Sequence, residues 1–397
     1  MRAERRIAIA LLVALLAGAA GAAEWSGNVA LEARLFAHAP PDGHQHGDSL
    51  SVSVEPEFFH DWDDGRQSLT ITPFARYDGR DNERTHADLR EAFYLYVGDR
   101  WELRLGFDKV FWGVTESAHL VDIINQTDAV ENIDGEDKLG QPLIKLGLER
   151  DFGNLDFFVL PYFRERTLPG PRGRLRTQPV VDTDRPIYAS GAREWHVDFA
   201  LRWRRSFDAW DVGISHFHGT SREPRFVPAL DRGGMPVLRP LYEIIDQTGV
   251  DIQFTHDAWL WKFEGIHRSG QGPGYFAAVG GFEYTRYGIF ESAADLGLLA
   301  ELHYDERRDQ ASTPFEHDLF VGARWAANDV QSTEALVGVI QDLGDGTRAW
   351  FVEASRRFGA SWKLSVDARI FSDVDTRDPL FALRDEDHVR IELARYF

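Results

Sequence analysis

Cysteine is absent from all 397 residues, so the chain has no disulfide and no thiolate-ligated metal site. That absence suits a protein that crosses an oxidising compartment unfolded, where stray crosslinks would trap it. Long apolar runs are missing as well. Beyond residue 23 nothing approaches the ~18 consecutive apolar residues of a transmembrane helix. Cationic residues are in deficit, 44 Lys and Arg against 64 Asp and Glu, for a formal net charge of -20. Phosphate backbones need a cationic surface, so this balance argues against non-specific nucleic-acid binding. No phosphate loop is present either, because Gly270-Gln271-Gly272-Pro273-Gly274 is not followed by Lys-Ser/Thr and is loop punctuation.

Arg2, Arg5 and Arg6, the apolar run from Ile7 to Ala17 and the small residues through Ala23 predict a secretory signal peptide over residues 1–23, cut near Ala22 or Ala23. Its loss removes three arginines and Glu4, leaving a charge of about -22. No linker or composition shift divides residues 24–397, which are expected to form one architecture.

That architecture is written in alternation. Val29, Leu31, Ala33 and Leu35 interleave with Asn28, Glu32 and Arg34, and Leu50, Val52, Val54 and Phe58 with Ser51, Ser53, Glu55 and Glu57. Such a period over about ten residues is that of a transmembrane strand with lipid on one face and water on the other. It continues in Leu69, Ile71 and Ala75 against Thr70, Thr72 and Arg76. Next come Leu89, Phe93 and Leu95 against Arg90, Tyr94 and Tyr96, then Trp101, Leu103, Leu105 and Phe107 against Glu102, Arg104 and Asp108. Brief turns such as Asp63-Asp64-Gly65-Arg66 and Gly98-Asp99-Arg100 alternate with longer loops. Further strands are expected near 141–150, 155–165, 193–206, 209–218, 246–256, 258–268, 274–286, 294–305, 315–326, 332–343, 347–357, 361–372 and 386–397. The total is about 18, with 16 as the alternative, and the fold class is an all-β, antiparallel, up-and-down transmembrane barrel. Trp25, Trp101, Trp195, Trp210, Trp259, Trp325 and Trp362 fall near strand ends, where amphipathic rings form a girdle at the bilayer boundary.

The last strand places Val389, Ile391, Leu393 and Phe397 on one parity and Arg390, Glu392 and Tyr396 on the other. Ending on an aromatic residue in that register resembles the closing strand of Gram-negative outer-membrane barrels of the porin superfamily. The resemblance implies outer-membrane localisation, Phe397 as a signal to the barrel assembly machinery, and contact with lipid and lipopolysaccharide. It implies no cofactor. Homo-oligomers are common among porins, and no stretch here demands one. Arg104-Leu105-Gly106 with Val110, Trp112 and Gly113 resembles a strand-end pattern in a family of large, functionally unassigned barrels, although Phe107-Asp108 departs from it.

Three long departures from alternation, Val114–Gly140, Arg166–Ala192 and Gly219–Ile245, are extracellular by the strand count. In the first, residues 115–124 have the apolar spacing of a short helix, and Glu116, Asp122, Asp128 and Glu131 make it acidic. It resembles the loop that folds into general porins and narrows them. Inward parity gives Arg34, Arg76, Arg90, Arg104, Arg164, Arg202, Arg204 and Arg369. Acidic loop groups facing that arginine ladder predict a transverse field in a constriction. The plainer reading pairs the arginines with Glu32, Glu55, Glu102 and Asp367 on neighbouring strands. The expected function is a porin-like channel for passive diffusion of small hydrophilic or amphipathic solutes. The alternatives are a plugged structural or export barrel with a periplasmic partner and, less favoured, a membrane-embedded hydrolase using Ser215, His216, His218 and Ser221. No spacing forces a nucleophile against its base, so a non-enzymatic barrel is expected.

Overall fold

A computed structural model describes residues 23–397. Apart from Ala23, the expected signal peptide lies outside the described residues. Eighteen antiparallel strands form one closed sheet. They are β1 (Glu24–Phe36), β2 (Asp48–Trp62), β3 (Gln67–Asp78), β4 (His86–Gly98), β5 (Trp101–Asp108), β6 (Gln141–Arg150), β7 (Gly153–Leu160), β9 (Asp198–Phe207) and β10 (Trp210–Thr220). The circuit continues with β13 (Ile244–His256), β14 (Trp259–Ser269), β15 (Tyr275–Arg286), β16 (Asp295–Asp305), β17 (Asp318–Ala326), β18 (Glu334–Asp342), β19 (Arg348–Phe358), β20 (Trp362–Ser372) and β21 (His388–Tyr396). Each strand pairs with the next, and β21 pairs back onto β1, so no barrel edge is left open. Three short strands outside the circuit, β8 (Ile187–Tyr188), β11 (Arg225–Leu230) and β12 (Pro236–Tyr242), form a small sheet over the long-loop mouth.

The polarity of burial is inverted relative to a soluble protein. Across the closing seam, Val52, Leu31, Leu393 and Leu364 stand in one row on the outside; Leu31 is 51% exposed. The intervening residues Glu32, Ser51, Ser53 and Asp367 are buried. Apolar side chains therefore face hydrocarbon and polar ones face the lumen. A Leu31→Arg substitution, which puts a charge near mid-strand on the lipid face, is expected to destabilise the barrel by about 2–4 kcal/mol. A denaturant titration in lipid vesicles, read by tryptophan fluorescence, measures that loss. Trp25, Trp101, Trp210, Trp259, Trp325 and Trp362 are exposed near the short-turn end, which also carries both ends of the barrel sheet, and Trp195 is exposed at the other.

One strand departs from the sequence parity. Across β3 and β4, Thr72 pairs with Glu91 but Pro73 pairs with Leu89, leaving Arg90 as an extra residue. A one-residue bulge moves every following side chain to the opposite face. Phe93 and Leu95 consequently share the inward face with Arg104, and Tyr94 and Tyr96 share the outward face with Leu103 and Leu105.

The Arg166–Ala192 departure is tied down across the mouth. Arg174 is buried, donates to Glu386 at 2.7 and 2.9 Å and lies over the Phe36 ring at 4.3 Å.

Candidate functional site

Between β5 and β6, residues 109–140 turn into the lumen. Irregular backbone held inside a barrel must satisfy its own polar groups, and the wall supplies the partners. Glu264 of β14 accepts N–H bonds from Val114 (2.7 Å), Thr115 (3.1 Å) and Val121 (3.2 Å). Glu301 of β16 accepts from Glu116 (2.8 Å) and Ser117 (2.9 Å). Arginines hold the carbonyls. Arg222 donates to Ile124 O at 3.0 and 3.1 Å, Arg84 to Val130 O at 3.1 Å, Arg90 to Lys138 O at 3.1 Å, and Arg34 to Glu131 O. Asn125 closes the neck, donating to Asp108 O and Leu139 O. The helix expected over 115–124 does not form, because its N–H groups are captured by wall carboxylates in place of carbonyls one turn back.

The other adhesive force is apolar. Trp112, Val121, Ile123 and Ile124 pack against inward-facing Leu143, Phe158, Leu160, Phe217, Ile245 and Ile266. One wall of the lumen is thus dry, which simple alternation does not anticipate.

The sequence-derived charges come together as ion pairs. Arg76 meets Glu131 at 2.8 Å, Arg90 meets Asp128 at 2.7 Å, and Arg34 meets Glu32 at 2.9 Å. Glu116 binds Arg324 at 2.5 Å, and Asp122 binds Lys138 at 3.0 Å. The rest of the ladder is also occupied: Arg104 with Asp108 (2.8 Å), Arg164 with Asp88 (2.6 Å), Arg202 with Asp251 (2.9 Å), and Arg369 with Glu353 (2.8 Å), Asp367 (3.0 Å) and Asp134 (3.3 Å). Arg204 sits near the short-turn end, 3.7 Å from Asp156 and half exposed. Of the wall acids, Glu32 and Asp367 pair with arginine, Glu102 pairs with Lys145 at 2.9 Å, and Glu55 has no ion pair among the described residues. Loop acids thus meet wall arginines, and neighbouring strands also pair.

Arg84 was not reached from the sequence because it lies in a loop without parity. It binds Glu32 at 2.8 Å and Asp78 at 2.9 Å. Glu264 and Glu301 carried a legible signal, as charged residues on the inward face of β14 and β16.

Within the inserted segment, burial works against charge on His119. The carboxylates of Glu136 (3.0 Å) and Glu264 (3.9 Å) outweigh it and raise the imidazole to about 10. Burial raises the Asp122 carboxyl despite Lys138. For Asp128, burial is overcome by His86, Arg90 and Thr167, which hold it at about 2.

Two cavities flank the segment. The one toward the short turns, about 750 Å³, is lined in part by Glu55, Glu334, Glu353, Glu392, Lys363 and Arg390. The one toward the long loops, about 520 Å³, is lined in part by Arg166, Arg222, Arg268, Arg307, Phe226 and Tyr275. Asp134, Glu136 and Lys138 border both.

Ser215 is buried on the inward face, while His216 and His218 are exposed outward beside Thr248 and Asp246. Opposite faces of one strand cannot form a nucleophile–base pair. Ser117 Oγ does lie 2.7 Å from His303 Nε2, but the carboxylate at this site, Glu301, contacts the serine and not the other imidazole nitrogen. That departs from triad geometry.

No protein-family model and no curated protein matches the chain. Among solved structures, Wzi of Escherichia coli, described as an outer-membrane carbohydrate-binding β-barrel involved in group 1 capsule assembly, is similar at TM-score 0.52 and 9% identity. The match covers 92% of this chain and 83% of that one. OmpT of Vibrio cholerae gives TM-score 0.46 at 9% identity over 96% and 99%. A substituted form of the Rh. blastica porin gives 0.44 at 10% over 94% and 100%. At these identities the likeness is one of fold, and the fold is that of an outer-membrane β-barrel.

Proposed function

We propose that this barrel conducts small hydrophilic or weakly amphipathic solutes by passive diffusion through a lumen that residues 109–140 narrow. The observation that carries the reading is the pair of cavities, each lined in part by charged groups, bordered by the same three side chains, Asp134, Glu136 and Lys138. The loop–wall ion pairs Glu116–Arg324, Asp128–Arg90 and Glu131–Arg76 hold the constriction's shape, while its field comes from groups less fully paired. Planar-bilayer recording of the purified barrel tests this; discrete conductance steps are expected.

Asp137 is one such group. Burial, with Asp134 and Glu131 nearby, raises its carboxyl to about 6. A raised carboxyl is ionised at neutral pH and neutral below that value, so the lumen loses one negative charge as pH falls through about 6. Cation preference, measured as reversal potential in a salt gradient, is expected to drop across that window, and Asp137→Asn to abolish the step.

A second reading, a plugged barrel, is favoured by the completeness with which Glu264, Glu301, Arg84 and Arg222 satisfy the segment's backbone. Silent bilayers with correctly folded protein would select it.

A further inference from the structure

Five carboxylates converge at the extracellular end of β17 and β18, outside the constriction. Asp318 opens β17, Asp342 closes β18, and the two stand directly opposite in the ladder. Glu316 precedes β17, Asp345 lies in the loop after β18, and Asp378 in the loop before β21. Oxygens of Glu316, Asp318 and Asp342 lie within 4.8 Å of one another, as do those of Asp342, Asp345 and Asp378. Like charges directly opposite on a sheet repel, yet none of the five has an ion-pair partner among the described residues. The neighbouring guanidiniums are committed elsewhere, Arg307 to Asp305, Arg348 to Asp373 and Arg377 to Asp375. Arg308 lines the adjacent cavity without pairing with any of them.

Mutual proximity alone would be unremarkable for surface acids. Asp318, however, is only 2% exposed, and Asp342 and Asp378 are buried with it. Among the described residues the Asp318 carboxylate accepts one hydrogen bond, from the His317 N–H to Oδ2 at 3.1 Å. Glu316 Oε2 is enclosed with no hydrogen-bond partner among the described residues. Buried carboxyls crowded together without a cationic partner either hold a proton or meet a positive charge. Beside them is a cavity of about 210 Å³ bordered by Glu316, Asp342, Asp345 and Asp378, with room for water ligands.

We infer that Glu316, Asp318, Asp342, Asp345 and Asp378 form a calcium-class divalent cation site. The donor set is all oxygen, which selects a hard cation. A site this rich in carboxylates suits the larger, flexibly coordinated ion better than magnesium, which retains most of its water. The cation fastens the β16–β17, β18–β19 and β20–β21 loops together. Ala311, Thr313 and Pro379 border both this cavity and the outer vestibule, so the site stiffens the vestibule wall.

The test is calorimetric titration of calcium chloride into the folded, chelator-stripped barrel in detergent, with Asp318→Asn/Asp342→Asn in parallel. Saturable binding is expected with a dissociation constant of about 10⁻⁴–10⁻³ M, weakened roughly tenfold or more in the double variant, and magnesium chloride is expected to bind more weakly than calcium chloride. The double variant removes repulsion, so heat-modifiable gel mobility should show it folded. If it fails that check, Asp345→Asn, at an exposed loop position, is expected to weaken binding in the folded barrel. Wild-type binding that is absent, or unchanged by substitution in a folded variant, would overturn the assignment.

Discussion

Replacing residues 113–138 with a short Gly/Ser linker is expected to raise single-channel conductance severalfold while leaving the barrel folded. The strands pair with their neighbours without help from the segment, and the closing β1–β21 contact lies on the seam, outside it. What is removed is the material separating the two cavities, together with the side chains that border both. Excision also exposes a dry patch of Leu143, Phe158, Phe217 and Ile266 to water, along with Glu264 and Glu301 deprived of their N–H donors. The carboxylates regain water, which restores much of their solvation. Stability should therefore fall modestly while conductance rises sharply. Liposome swelling with sugars of increasing size gives the same comparison without applied voltage, and an unchanged size cut-off would mean the segment does not narrow the path.

Glu32→Ala is expected to be the most damaging single substitution in the lumen. The Glu32 carboxylate is 1% exposed and lies 2.9 Å from Arg34, 2.8 Å from Arg84 and 3.3 Å from Arg76. Its ladder neighbours aggravate the loss, because Arg34 stands directly opposite Arg390. With the carboxylate gone, buried guanidiniums face one another with only Glu131 and Asp78 to balance them. Removing one partner of a buried ion pair costs about 3–5 kcal/mol. The heat-modifiable gel transition should shift to much lower temperature, and Glu32→Ala/Arg84→Ala should recover part of the loss by removing one uncompensated charge. A double variant less stable than Glu32→Ala would show that Arg84 acts mainly through Val130 O and not through the charge cluster.

The strand pattern was legible because each side chain answers to one of two solvents, and the period of two survives in the sequence wherever the ladder is regular. Leu31, Val54, Leu105 and Ile391 are all exposed on the lipid face, as their parity requires. Legibility failed at Arg90, where one extra residue flipped Phe93 and Leu95 inward; a bulge leaves no mark in hydrophobic alternation. It failed again over 115–124. There the apolar spacing reflects packing against Phe158 and Phe217, and the N–H groups belong to Glu264 and Glu301, 149 and 185 positions away for Thr115 and Glu116. Long-range pairing is also why the identity of each ion pair could not be read, although the charges themselves could. Inward apolar residues such as Phe158 beside outward Phe157 were the available sign that one wall receives the loop.

The absence of native cysteine makes the decisive measurement clean. A Glu136→Cys barrel in a planar bilayer, exposed to a charged, membrane-impermeant thiol reagent from either compartment in separate experiments, places one reporter where both cavities meet. Stepwise changes in an existing current from both sides are predicted. A silent barrel, or one modified from a single side, would contradict a continuous aqueous path through the lumen.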